Sequence, residues 1–295
     1  MKKLIAIFLT LSMMLMLVSC GENSHSTAPG VISTAVTTSS TEVSSTDATT
    51  STTGVTSTTA TTSTTTTHDP IKWCAMGDSI TEGWCSFYNA AGEAKSQLKP
   101  ALGWASQLAA MKGYALTNKA VGGSGYLCTR TASSPVLNGK QVADATNFAQ
   151  FDLVTLAFGV NDWKYNCVLG SMNDDVNAGT SMYSNMRYII EKILTDNPTC
   201  KIIVITPINC MLRGTYETNW GLGYAYSNAG TLENVFNAIV EVCEWYGIEY
   251  IDMTHNSIVN KDNISQMLMD KVHPSEECHK LMAQELAKKI VIEEE

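Results

Sequence analysis

Five short apolar segments recur between residues 69 and 295, and longer stretches with helical character separate them. The strand candidates are Ile71–Met76, Tyr114–Lys119, Leu153–Phe158, Lys201–Thr206 and Glu249–Asp252. The helix candidates lie near Gly103–Lys112, Val176–Thr195, Ala229–Tyr246 and Pro274–Ile292. Alternating strands and helices favour a parallel sheet that helices cover on both faces. We therefore expect one α/β domain over residues 69–295, with three α/β/α layers and a parallel five-stranded sheet.

Polar and glycine-rich motifs follow four of these strands. In chain order they are Gly77-Asp78-Ser79, Gly122-Gly123, Gly159-Val160-Asn161-Asp162 and, about twenty residues beyond the last strand, Asp270-Lys271-Val272-His273-Pro274. Open parallel sheets place their binding sites at the carboxyl ends of the strands. The four motifs are therefore expected to meet at one edge of the sheet.

The residue types in these motifs suit acyl transfer, which needs a nucleophile, a base, a group that orients the base, and oxyanion donors. Ser79 supplies a hydroxyl nucleophile, and its own N–H, at the start of a helical turn, can donate to an oxyanion. His273 can accept the serine proton and return it to the leaving alcohol. Asp270 is close enough in sequence to fix the histidine tautomer. Pro274 is expected at the first position of the last helix.

These motifs resemble the four sequence blocks of the SGNH hydrolases, a family of esterases and lipases. Gly77-Asp78-Ser79-Ile80 resembles the GDSL block, Asn118 to Gly123 the glycine block, Gly159 to Asp162 the G-x-N-D block, and Asp270 to Pro274 the acid–base block. The resemblance, which extends to bacterial carbohydrate acetyl esterases, implies a flavodoxin-like fold. It also implies that the Gly123 N–H and the Asn161 amide join the oxyanion hole, with Gly122 as the alternative to Gly123. No cofactor or metal is implied.

The N-terminus has the layout of a bacterial secretory signal. Lys2 and Lys3 precede an apolar stretch over residues 4–18, which is short for a membrane span. The sequence Leu17-Val18-Ser19-Cys20 resembles a lipobox, in which cleavage before the cysteine is followed by lipidation of its sulfur. We expect residues 1–19 to be a signal peptide and the protein to be a lipoprotein on the outer face of a bacterial cell. The alternative is an ordinary signal peptide with a chance cysteine.

Residues 20–68 are expected to be a lipidated cysteine followed by a disordered tether. Ser and Thr account for 29 of the 47 residues from 21 to 67, which leaves too little apolar surface to offset the entropy of ordering. A flexible chain of this length spans roughly 40 Å on average. The tether would hold the globular domain away from the membrane.

Nine cysteines are present, of which eight remain if Cys20 is lipidated. Their spacing fits no zinc pattern. Export permits disulfides, but the spacing does not decide among the 105 pairings of eight cysteines. Cys74 is expected to be a buried free thiol, and a bridge between two of Cys85, Cys128 and Cys167 is an open alternative.

Charge and composition limit the classes of molecule that the protein is expected to bind. The formal net charge is −9, and the basic residues do not cluster, which argues against nucleic acid. We expect a monomer whose partners are an ester substrate and, through Cys20, the membrane.

Substrate-binding residues are predicted from aromatics near the motifs, with Trp163, Trp84 and Trp220 as candidates. Trp220 belongs to a long aromatic-rich loop over residues 209–228, and such loops are often functional. Asp78 and Asp162 are expected to serve turns or helix starts, and His255 and His279 the surface or local structure.

Three functional hypotheses follow. The first is a secreted, membrane-anchored serine esterase that removes small acyl groups, above all acetyl, from polysaccharide. The second is a lipase, lysophospholipase or thioesterase with the same triad. The third is a non-catalytic surface binding lipoprotein, which has no need of Ser79, Gly123, Asn161 and His273 together.

Overall fold

A computed structural model describes residues 69–131, 134–210 and 224–292. In these ranges the strands are β1 (Lys72–Gly77), β2 (Trp84–Tyr88), β3 (Ala94–Leu98), β4 (Ala115–Asn118), β5 (Arg130–Thr131), β6 (Ser134–Pro135), β7 (Leu153–Ala157), β8 (Lys201–Ile205) and β9 (Glu249–Ile251). The helices are α1 (Ser79–Glu82), α2 (Trp104–Lys112), α3 (Gly139–Asp144), α4 (Val160–Lys164), α5 (Met182–Asp196), α6 (Leu232–Tyr246), α7 (Ile264–Met267) and α8 (Glu276–Lys289). The predicted signal peptide, Cys20 and the predicted tether lie outside the described residues.

The central sheet has the order β4-β1-β7-β8-β9, and every neighbouring pair is parallel. The central strands β1, β7 and β8 are largely buried, as their apolar runs predicted, and all of β1 after Lys72 is buried. The edge strands β4 and β9 are more exposed. The register places Cys74 beside Thr117 on one side and Val154 on the other. The predicted parallel five-stranded α/β sheet is therefore confirmed.

Helices cover both faces of this sheet. The chain moves from β1 outward to β4, then back past β1 to β7, β8 and β9. Right-handed crossovers therefore place α2 on one face and α3, α5 and α6 on the other. Helix α8 packs against α2, whereas α5 packs between α3 and α6. The strand order reverses between β1 and β7, and a crevice for a ligand is expected at this point.

The long helices begin later than the sequence pattern predicted, because capping side chains set their starts. Ser181 and Thr231 each form a capping box, so α5 and α6 start at Met182 and Leu232. Ser275 caps α8, which begins at Glu276. Pro274 therefore precedes the cap, and the prediction that it opens the last helix is wrong.

The antiparallel hairpin of β2 and β3 was not predicted from sequence. Gly83, in a left-handed conformation, ends α1 and leads directly into it. The hairpin is joined to the segment before α8, where the Ser86 N–H donates to the Pro274 carbonyl at 2.9 Å. This contact positions the His273 segment next to the start of β2.

Candidate active site

The four motifs meet at the carboxyl edge of the sheet. Ser79 follows β1 and opens α1, where the Asp78 side chain caps the helix by accepting the Ile80 N–H at 2.9 Å. Asn161 lies in α4, directly after β7, and the loop beyond β4 brings Gly122 and Gly123 alongside. The convergence predicted from strand ends is thus present in the structure.

Ser79, His273 and Asp270 form a hydrogen-bonded chain. His273 Nε2 lies 2.9 Å from Ser79 Oγ, and His273 Nδ1 lies 2.6 Å from Asp270 Oδ2. A serine beside an imidazole that a carboxylate orients can be deprotonated during attack on an ester.

The turn from Asp270 to His273 explains why the aspartate lies three positions before the histidine. Asp270 Oδ1 accepts the N–H groups of Val272 and His273 at 3.0 and 2.7 Å, while its Oδ2 meets the imidazole. Lys271 takes a left-handed φ of 75° to close the turn. Burial acts to raise the pKa of Asp270, but the hydrogen bonds and charge of His273 outweigh it and lower this pKa. The carboxylate therefore stays ionised and acceptor-only toward the imidazole.

Asn161 projects its amide into the cleft while holding the glycine loop. Its Nδ2 donates to the Ser124 carbonyl at 2.8 Å. An amide nitrogen carries two N–H groups, so one remains to meet a ligand. Gly123 has a φ of 87°, a conformation that favours glycine. Gly122 and Gly123 both line the cleft.

Asp162 fixes the position of the glycine loop relative to α4. Its carboxylate accepts the N–H groups of Tyr126, Leu127 and Cys128 at 2.8 to 3.0 Å. A Cβ on Gly125 would lie 2.4 Å from Asp162 Oδ2, so this close approach requires glycine. Burial raises the pKa of Asp162, and the three N–H donors oppose that shift. Sequence reasoning missed this role; the signal available was a carboxylate directly after Asn161.

Asp78 is a second buried carboxyl group beside the nucleophile. Burial raises its pKa to about 7, while the Ile80 N–H and the charge of His273 act to lower it. Asp78 caps the start of α1, as the sequence indicated, whereas Asp162 lies in the first turn of α4 and also holds the glycine loop.

The substrate-binding predictions have different outcomes. Trp84 lines the cleft; its indole N–H donates to Glu82 at 2.9 Å, and its ring centroid lies 6.0 Å from that of His273. Trp163 is only 1% exposed and donates its indole N–H to the Tyr224 carbonyl, so it is a core residue and not a cleft residue. Its neighbours Lys164 and Tyr165 line the cleft instead. Trp220 lies outside the described residues.

The two remaining histidines of the domain are structural. His255 is exposed, in agreement with the predicted surface position, and it pairs with Glu233 and Asp252. His279 is buried, which excludes a surface role. It accepts the Trp104 N–H and contacts the Trp84 carbonyl at 3.0 Å. Burial lowers the pKa of His279 to about 4, so it stays neutral and anchors the start of β2 beside the cleft.

Comparison with known proteins identifies the family. The GDSL-like lipase/acylhydrolase family matches residues 75–281. The chain belongs to this family. The membership confirms the predicted family and enzyme class: the chain is a hydrolase of carboxylic esters. No curated protein matches the chain.

Solved structures share the fold of this GDSL-like hydrolase. A carbohydrate acetylesterase from Sinorhizobium meliloti aligns with 16% identity and a TM-score of 0.52, covering 74% of this chain and 97% of that one. The aryl esterase of M. smegmatis aligns with 16% identity, a TM-score of 0.51 and the same coverage. A possible lipase from Chitinophaga pinensis aligns with 21% identity and a TM-score of 0.50, again covering 74% and 97%. At these identities the similarity establishes the fold.

No helix in ranges 69–131, 134–210 and 224–292 is long and apolar enough to span a membrane. The same ranges hold no cluster of three His, Cys, Asp or Glu side chains that could bind a metal ion.

Proposed function

We propose that this GDSL-like hydrolase cleaves esters through Ser79, with His273 as general base and acid and Asp270 as the residue that orients the imidazole. The single observation that carries the proposal is the hydrogen-bonded chain from Ser79 Oγ to Asp270 Oδ2, at 2.9 and 2.6 Å. Ser79 attacks the ester carbonyl as His273 Nε2 takes its proton. His273 then returns the proton to the leaving alcohol, and a water molecule hydrolyses the acyl-enzyme by the same route.

The oxyanion of each tetrahedral intermediate would be bound by three donors: the N–H groups of Ser79 and Gly123 and the side-chain amide of Asn161. Ser79 and Asn161 follow adjacent strands, β1 and β7, and both line the cleft together with Gly123. Donors fixed before the reaction stabilise developing charge without reorganisation. Asp162 supports this arrangement by holding the glycine loop against α4.

We infer that the preferred acyl group is small, acetyl above all. The described part of the cleft has a volume of about 90 Å³. Its aliphatic side chains are limited to Ile80, Val160 and Val272, among polar, glycine and aromatic neighbours. Trp84 is fixed by Glu82 next to His273. These walls leave a long acyl chain little apolar surface on which to lie.

We infer that the alcohol side of the ester is a polysaccharide. Trp84 and Tyr165 present aromatic rings beside the nucleophile, and such rings suit the apolar faces of sugars while their polar ends meet hydroxyls. The expected tether would move the cleft tens of ångströms from the bilayer, roughly 40 Å on average. That separation helps an enzyme reach external polymer and does nothing for one acting on lipids beneath it. The acetylesterase similar in fold acts, by its name, on carbohydrate.

The second candidate, a lipase or thioesterase with the same triad, is favoured by the fold shared with the possible lipase. Acyl chain length separates the two candidates. Burying one CH₂ group contributes about 0.8 kcal/mol, so a channel that buried the six extra carbons of octanoate would raise kcat/KM about 10³–10⁴-fold. The described residues that line the cleft supply too little apolar surface for such a gain.

A series of p-nitrophenyl esters from acetate to octanoate should therefore show the highest kcat/KM for acetate. Acetate should also be released from acetylated xylan. A rate that rises toward octanoate, with no acetate released from the polymer, would establish the lipase candidate.

Trp84→Ala tests whether the wall of the cleft sets the preference for acetate, and Trp245→Ala is its control. Removing the ring beside His273 should raise the octanoate-to-acetate ratio by about 10-fold, as the cleft gains room for a few CH₂ groups. Trp245→Ala, which removes a ring that is 72% exposed, should leave the ratio unchanged. Equal octanoate-to-acetate ratios for the two variants would show that Trp84 does not limit the length of the acyl group.

We also propose that the enzyme is exported and anchored through a lipid on Cys20. The support is the sequence Leu17-Val18-Ser19-Cys20 after a basic start and an apolar stretch. Cys20→Ala should release the protein from the membrane fraction or leave it unprocessed. Cys200→Ala, a buried position in the globular domain, should keep it in the membrane. Mass spectrometry of the mature N-terminus decides the matter, since an unmodified start elsewhere contradicts the anchor.

A further inference from the structure

Two cysteines stand at the ends of the two segments that carry the proposed oxyanion donors. Cys128 closes the glycine loop that begins at Gly122, and Cys167 follows α4, which contains Asn161. Asp162 holds both backbones. Its carboxylate accepts the Cys128 N–H at 3.0 Å, and its carbonyl accepts the Cys167 N–H at 2.9 Å. The backbones of both cysteines are therefore bonded to Asp162, one to its side chain and the other to its carbonyl oxygen.

The side chains of this pair also meet. The thiols of Cys128 and Cys167 are hydrogen-bonded to each other, and this contact, with burial second, raises the pKa of Cys167 well above its usual range. Cys128 is 2% exposed, whereas Cys167 is half-buried and open to reagents. The Sγ of Cys85, in contrast, contacts the Gly83 carbonyl oxygen at 3.7 Å. Among the three candidates for a bridge, the structure brings Cys128 and Cys167 together.

We propose that Cys128 and Cys167 are a disulfide-forming pair that links the glycine loop covalently to α4. The oxidant is a disulfide, either a small molecule or an exported thiol oxidoreductase. The Cys167 thiolate attacks it and expels one thiol. The Cys128 thiolate then attacks the sulfur of Cys167 and expels the second thiol. One external disulfide is thus reduced to two thiols while two protein thiols are oxidised to one disulfide, and their two protons pass to the leaving thiols.

The surroundings of the pair decide when the bridge forms. A thiolate is the attacking species, and the raised pKa of Cys167 keeps that form scarce in the folded enzyme. The bridge is therefore expected to form during folding, before burial is complete. Export would place that step in an oxidising compartment, where disulfides persist. Once formed, the bridge holds Gly123 and Asn161 in fixed relative positions even when Asp162 is protonated.

The test is the oxidation state of the refolded chain. The full-length chain is reduced, unfolded, and refolded with glutathione disulfide or with dithiothreitol, and free thiols are then alkylated. The glutathione sample should show two fewer alkylated thiols and a peptide in which Cys128 is linked to Cys167. Its melting temperature should exceed that of the reduced sample by about 5–10 °C, because the crosslink restricts the unfolded chain.

Variants make the assignment specific. Cys128→Ser and Cys167→Ser should each abolish the linked peptide, and Cys85→Ser should preserve it. The Ser79→Ala variant should form the same bridge, so the outcome is independent of ester hydrolysis and of the proposed function. Alkylation of both Cys128 and Cys167 in folded protein after refolding with glutathione disulfide, or linkage of either to a third cysteine, would overturn the proposal without needing any variant.

Discussion

Ser79→Ala should remove nearly all hydrolysis of p-nitrophenyl acetate and leave the fold intact. The expected loss in kcat is on the order of 10⁴-fold or more, as for the nucleophile of other serine triads. The physical reason is that the base has no hydroxyl to activate. In the wild type, Ser79 Oγ lies 2.9 Å from His273 Nε2, whereas in the variant this nitrogen would face a methyl group. Steady-state kinetics with circular dichroism of both proteins measures the effect.

Thr81→Val is the matched control for this prediction. Thr81 lies in the same short helix as Ser79, and its Oγ1 is buried without a hydrogen-bond partner among the described residues. Valine has nearly the same shape, so this variant should keep activity within a few-fold. If Ser79→Ala retained a tenth of the wild-type rate, another nucleophile would have to be sought.

Asn161→Ala should lower kcat by about 10²–10³ with little change in KM, because the amide meets full negative charge only in the transition state. Asn161→Asp should be at least as severe, since a carboxylate of nearly equal shape repels the oxyanion. Substrate affinity depends little on this amide because a ground-state carbonyl is a weak acceptor. The kcat and KM values of both variants, measured with p-nitrophenyl acetate, test the assignment.

Asn185→Ala separates an oxyanion role from a structural one. Both asparagines are buried, and each donates an amide N–H at 2.8 Å to a carbonyl of the same loop, Asn161 to Ser124 and Asn185 to Tyr126. Only Asn161 of the two lines the cleft. Asn185→Ala should therefore reduce stability and keep kcat within a few-fold. A loss of equal size in both variants, or a pure KM effect at Asn161, would remove Asn161 from the oxyanion hole.

Asp162 illustrates how the site depends on contacts that span the chain. Its three N–H partners lie 34 to 36 residues earlier, so no local pattern could reveal that the carboxylate turns toward them. The sequence supplied only the expectation of a helix-start residue. The same limit applies to His279, which bonds to Trp104 and Trp84, each more than 170 residues away in the chain.

Trp163 and Trp84 show a second limit of sequence reasoning, which concerns the direction of side chains. Both follow a motif closely, and the sequence favoured Trp163 as a substrate-binding residue because it lies two residues past Asn161. The helical turn of α4 directs Trp163 into the core against Tyr226, at a ring separation of 5.9 Å. The hairpin that begins at Trp84 directs its ring over His273 instead. Side-chain direction depends on backbone geometry, which motif spacing does not encode.

The sequence by itself predicted the class of fold and the edge of the sheet at which Ser79, Asn161, Asp270 and His273 meet. It could do so because buried parallel strands require continuous apolar runs, and the topology brings their carboxyl ends together. Tertiary structure alone decided the rest: the caps that start the long helices, the β2–β3 hairpin, the contact of Cys128 with Cys167, and which aromatic rings face the cleft. Those features depend on pairs of groups far apart in the chain, whose meeting is fixed only when the whole core packs.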